Sequence, residues 1–202
     1  MPAIVRSRSE RPKFMESEMK TLWIGAVTVF AILFGLSGSA LAQSAQTLPI
    51  PGIDAAIDFP NEHEMPDPNL TYKIVFDIGK ASPKIDEVNP GLTFISRYFN
   101  TLAKGGVPAD RRKFVVVFHQ EGTELALNNA AYKALKDGHD NPNIAMIHSM
   151  KQAGVDFRVC GQGVLGRKID MATINPEIQI DQWAMTTITN LALRGYIHVP
   201  GN

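Results

Sequence analysis

Three side chains able to do chemistry fall just at or after the ends of apolar runs in this sequence: Asp77, His119 and Cys160. A cysteine becomes a nucleophile as its thiolate, which backbone N–H groups and nearby cations favour. Cys160 is followed by Gly161-Gln162-Gly163, whose small residues admit close backbone amides, and it has Arg158, Arg167 and Lys168 nearby. An imidazole can give or take a proton near neutral pH, so the residue type of His119 suits a proton partner for that thiol. Asp77 supplies a carboxylate. Each has a plainer reading: a small buried hydrophobe for Cys160, a histidine satisfied by loop backbone for His119, and a turn or cap former for Asp77.

Other chemistries have less support. Gly161-x-Gly163-x-x-Gly166 spells the dinucleotide fingerprint, but it follows a late strand, lacks a long helix after it and meets Pro176 soon after. The remaining histidines, His63, His139, His148 and His198, show no ligand spacing, so no metal site is expected. No organic cofactor is expected either. No serine sits in a G-x-S-x-G elbow.

The elements that position these residues follow from hydrophobic periodicity. Tyr72–Ile78 (YKIVFDI), Lys113–Phe118 (KFVVVF) and Val155–Cys160 (VDFRVC) read as strands, Glu177–Ile180 as a short fourth and Tyr196–Val199 as the last. Asn89-Pro90 caps and opens a helix that carries Leu92, Ile95, Phe99 and Leu102 and ends at Gly105-Gly106. Further helices are expected over Thr123–Lys136, over Asn143–Ala153 after Asn141-Pro142, and over Trp183–Arg194, with Ala184, Ile188, Leu191 and Ala192 inward. Gly161–Gly166 reads as a glycine-rich turn. Alternating strands and helices imply an α/β fold with a mainly parallel sheet of five strands and helices on both faces. In such sheets ligands bind at the carboxyl ends of the strands, which is where Asp77, His119 and Cys160 fall.

The 202 residues divide unevenly around this domain. Leu22–Leu36 is uncharged, follows Lys20 and precedes Ala40-Leu41-Ala42, the layout of a secretory signal peptide cleaved near Ala42. Residues 1–18 sit awkwardly upstream, and Met19 reads as the natural start. A spanning helix needs about 20 apolar residues, so no stable anchor is expected after cleavage, and a lipoprotein anchor lacks its cysteine. The expected destination is the periplasm or the exterior. Residues 43–70 hold five prolines and read as an extended arm, either wrapping a neighbouring subunit or partly disordered; order is expected from Tyr72.

The 20 basic and 20 acidic residues of the whole chain become 15 and 17 once residues 1–42 are removed, a charge of about −2. That balance argues against nucleic acid as a partner. A single cysteine excludes an intrachain disulfide and a multi-thiolate zinc site.

From Tyr72 to Val199 the chain resembles the DsrE/DsrF-like family of sulfur-relay and intracellular sulfur-oxidation proteins. The likeness is carried by YKIVFDI, KFVVVFHQEG, Asn141-Pro142-Asn143, Ala153-Gly154-Val155 leading into FRVCGQG, Asn175-Pro176, and Arg194-Gly195-Tyr196-Ile197. The resemblance implies a three-layer α/β/α, flavodoxin-like domain over residues 71–202 that assembles as a homotrimer or homohexamer. It further implies that Cys160 carries sulfur as a persulfide, exchanged with a thiol partner protein. On that reading Cys160 and His119 are catalytic, and Gly161, Gln162, Gly163 and Asp77 bind the sulfur ligand. Two departures stand out: the export signal, and Gly163 where some relatives have the second cysteine of Cys-x-x-Cys. The rival reading is an exported oligomeric protein that binds a small ligand or serves assembly, with an inert Cys160.

Overall fold

In a computed structural model, which describes residues 47–201, five strands form one wholly parallel sheet. They are β1 (Tyr72–Ile78), β2 (Arg112–Phe118), β3 (Asp156–Cys160), β4 (Gln179–Asp181) and β5 (Ile197–Pro200), in the spatial order β4-β3-β2-β1-β5. Five helices connect them: α1 (Pro90–Lys104), α2 (Asn129–Leu135), α3 (Ile144–Gln152), α4 (Gly161–Gly166) and α5 (Ala184–Leu193). The α/β class and the five parallel strands agree with the sequence. The signal segment and the start at Met19 lie outside the described residues. Among the described residues no helix is long and apolar enough to cross a membrane.

Strand order explains the layering. From β1 to β4 each strand is added on the same side, so right-handed crossovers keep the intervening helices on one face. The step from β4 to β5 returns past three strands, which puts its crossover helix, α5, on the other face. The core divides accordingly. Ile74, Phe76, Ile78, Phe114, Val116, Phe118, Phe157 and Val159 pack with Leu92, Ile95 and Phe99 of α1 and Ile147 and Met150 of α3. The alternate residues Val75, Val115, Val117 and Cys160 form a second, smaller cluster with Ala184, Ile188 and Leu191 of α5. Both faces of β2 are buried, as its Val/Phe run requires.

Several boundaries differ from the sequence reading. The expected helix over Thr123–Lys136 is a 3-10 segment, Gln120–Ala126, followed by α2. The break comes where Leu127 bridges Ile174 and the Asn128 side chain accepts from the Ala131 N–H at 2.9 Å, capping a new helix. Gly161–Gly166 is α4, not a turn. Its glycines answer a need for space: a Cβ on Gly161 would lie 2.8 Å from the Asp181 carbonyl, and one on Gly163 would lie 2.7 Å from Thr123 Oγ1. Ala192 faces solvent, because α5 touches the sheet along a stripe no wider than Ala184, Ile188 and Leu191.

The N-terminal arm also differs. Ile50 is fully buried in the main core, so order begins well before Tyr72. The arm is sewn to α1 of the same chain: Asn100 accepts from the Ile50 N–H at 3.0 Å and donates to the Ile50 and Ile53 carbonyls at 2.8 and 2.7 Å. Thr101 accepts from the Ala56 N–H at 2.9 Å, and Lys104 bonds the Ala56 carbonyl and Asp58.

Candidate functional site

The C-terminal edge of the sheet gathers the polar residues named from sequence, and side-chain alternation turns them all to the α5 face. Phe118 pairs with Val159 in the β2–β3 register, so His119 and Cys160 occupy the next level on adjacent strands. Asp77 lies two levels lower on β1, opposite Val117, and its carboxylate reaches the His119 ring.

Asp77 is the hub of one group. Its carboxylate accepts from His119 Nε2 at 2.9 Å through one oxygen and from His198 Nε2 at 2.7 Å through the other. Its backbone carbonyl accepts from the Gly201 N–H at 2.9 Å, which adds a further tie from the chain end that follows β5. The His119 bond holds the carboxyl below its usual range, burial pushes the opposite way, and His198 adds to the lowering. A carboxylate fixed between two imidazoles orients both rings and leaves their second nitrogens to exchange protons. His198 was missed in the sequence because its partner Asp77 lies 121 residues away along the chain; β5 comes beside β1 only through the return crossover.

Cys160 forms the second group. Its residue is 5% exposed, and Sγ accepts from the Ala184 N–H, the first of α5, at 3.3 Å. Gly161 and Gly163 follow it in α4, while Gln162 is exposed and its amide reaches the Gln182 carbonyl at 3.4 Å. Beside this helix lies Thr123, fully buried, whose Oγ1 has no hydrogen-bond partner among the described residues. No hydrogen bond joins His119 to Cys160 among the described residues; the ring is engaged with Asp77 instead.

Further along the same face, Arg158 donates to Asp156 through Nε at 2.9 Å and to Asp181 through Nη1 at 3.1 Å. Thr187 Oγ1 donates to the other oxygen of Asp181 at 2.7 Å. Burial draws the Arg158 guanidinium down, but Asp156 and Asp181 outweigh it and hold it above its ordinary value. These residues alternate with Phe157 and Val159, so β3 is apolar toward the main core and charged beside α5. No group of three or more His, Cys, Asp or Glu side chains suited to a metal ion occurs among the described residues.

The fold is thus a parallel α/β sheet with a free, buried thiol at the end of the interior strand β3. The DsrE/DsrF-like family profile matches residues 36–200, and the chain belongs to that family, whose character points toward sulfur-relay function. A solved structure of a protein of unknown function from Methanobacterium thermoautotrophicum is similar at 17% identity, covering 64% of this chain and 98% of that one with a TM-score of 0.46. No curated protein matches.

Proposed function

We propose that this chain is an exported sulfur carrier of the DsrE type in which Cys160 holds sulfane sulfur as a persulfide. The observation that carries the reading is the placement of Cys160 at the end of β3 with the Ala184 N–H directed at Sγ, in a chain of this family. The Cys160 thiolate attacks a sulfane sulfur of a persulfide or polysulfide donor. The donor S–S bond breaks, its thiolate leaves, and a new S–S bond forms on Sγ. In the second half an acceptor thiolate takes the outer sulfur and Sγ departs as thiolate, so each exchange is redox-neutral. The Ala184 N–H is a ready donor to an anionic sulfur, and His119, oriented by Asp77, is the proton reservoir at this edge. Export is supported by Leu22–Leu36 and Ala40-Leu41-Ala42. Homo-oligomer formation is supported by α5, which carries no charged residue and leaves Met185 and Leu193 exposed, next to exposed Ile197 on edge strand β5. The test is intact mass after polysulfide treatment: wild type gains sulfur and Cys160→Ser does not.

A second reading is favoured by one observation. Cys160 packs with Val115, Val117 and Ala184 in the smaller core. An inert core thiol in a non-catalytic binding or assembly protein has that environment. Alkylation of the native protein near neutral pH separates the two: modification without denaturation supports the carrier, and protection until unfolding supports the inert thiol.

A further inference from the structure

A buried hydroxyl without a hydrogen bond is costly, so each one in a folded chain calls for a reason. Thr123 is such a group: it is fully buried, and its Oγ1 has no partner among the described residues. Its surroundings are specific. Gly163 carries no side chain, and the position its Cβ would take lies 2.7 Å from Thr123 Oγ1 and 3.6 Å from Cys160 Cβ. The backbone nitrogen of Gln120 lies 3.9 Å from the same position. That N–H also has no hydrogen-bond acceptor among the described residues. Two unpaired donors and the cysteine side chain therefore converge on one point beside Gly163.

The thiol itself does not satisfy them. Sγ accepts from the Ala184 N–H at 3.3 Å, at the start of α5, while Thr123 Oγ1 stays unpaired. A second sulfur changes the reach of the side chain, since an S–S bond adds about 2 Å beyond Sγ. The outer atom, anionic once deprotonated, is an acceptor for converging donors.

We infer that Thr123 holds the outer sulfur of a Cys160 persulfide, its hydroxyl donating to that sulfur beside Gly163 with the Gln120 N–H as second donor. The inference rests on the carrier reading above and adds to it the group that favours the persulfide over the thiol.

Loading of Cys160 against polysulfide concentration, read by intact mass, tests this in wild type, Thr123→Val and Thr123→Ser. Valine keeps the shape and removes the donor, whereas serine keeps the donor. Thr123→Val is expected to need about tenfold more polysulfide for half loading, and Thr123→Ser to load like wild type. Thermal unfolding of the unloaded proteins separates binding from packing: with no hydrogen bond to lose, Thr123→Val should melt no lower than wild type. Equal loading of wild type and Thr123→Val overturns the inference and leaves the carrier reading standing. Equal loss in both variants assigns the effect to packing, and a lower melting temperature of unloaded Thr123→Val gives the hydroxyl a partner within the fold; either overturns the inference too. No sulfur on wild type at any concentration rejects the carrier reading, and this inference with it.

Discussion

Asp77 shows how one carboxylate can organise the end of a sheet. It joins β1 to the loop after β2 through His119 and to β5 through His198. A carboxyl held below its unfolded value stabilises the fold above that value, about 3.9, and the contribution is lost as pH falls through the folded value. Asp77→Asn is therefore expected to cost about 1–3 kcal/mol at pH 6. The difference from wild type should shrink as pH falls below about 4, measured by urea unfolding at both pH values; a gap that widens in acid would contradict this sign. Arg112 makes the opposite case. Its guanidinium lies over the Phe99 ring at 4.5 Å, yet among the described residues buried Nε and Nη1 have no hydrogen-bond partner, and burial lowers its pKa. Arg112→Met should be neutral or stabilising by roughly 1 kcal/mol, since the cost of an unpaired buried donor exceeds a typical cation–π gain. A loss of more than that in thermal unfolding would argue that the charge has a partner after all. At this scale Cys160, His119 and Asp77 were legible because strand ends can be read from apolar runs. His198 was not, because pairing across a whole domain leaves no local trace. Nor was the asparagine network legible: Asn141 and Asn143 read as caps, yet Asn141 Nδ2 ties the Leu125 and Leu127 carbonyls and Asn143 Oδ1 accepts from the Asn89 N–H.

At the scale of elements the arm and α1 form one unit. Asn100 is fully buried and makes three hydrogen bonds to arm backbone, at Ile50 and Ile53. Removing all three leaves two carbonyls and an N–H to find new partners, so Asn100→Ala is expected to destabilise by about 2–4 kcal/mol. Limited proteolysis should then cleave the variant's arm faster than wild type; equal rates would show that Ile50's apolar contacts and the Thr101 and Lys104 bonds hold it without Asn100. The sequence made the arm look loose because five prolines suppress periodicity over residues 43–70. What anchors it is a set of polar residues on one helix, Asn100 with Thr101 and Lys104, whose partners lie 45 to 50 positions away. The α4 misreading has the same origin. Glycine is a local sign of turn geometry, whereas Gly161 and Gly163 are small because Asp181 and Thr123 crowd them. By contrast α1 was read to its limits, since Asn89, Pro90 and the terminal glycines are local signals that nothing distant overrides.

For the whole molecule, the order β4-β3-β2-β1-β5 decides what each face can do. One face carries four helices and the main core. Among the described residues the other carries α5 alone, and leaves the histidine–aspartate hub, the thiol and the charged groove lined by Arg158 and Asp181 along it. The α/β class and the five strands were legible from alternation, but strand order was not, and with it the fact that one helix would cover this face. Family membership suggests a sulfur-relay-related function, and Cys160 is the residue on which the proposed role turns. The most direct test is intact mass spectrometry of the folded protein after polysulfide exposure, with Cys160→Ser beside it. A gain of sulfur in wild type that is absent from the variant and reversed by a thiol acceptor is the predicted result. No gain, or an equal gain in Cys160→Ser, would contradict a persulfide on Cys160.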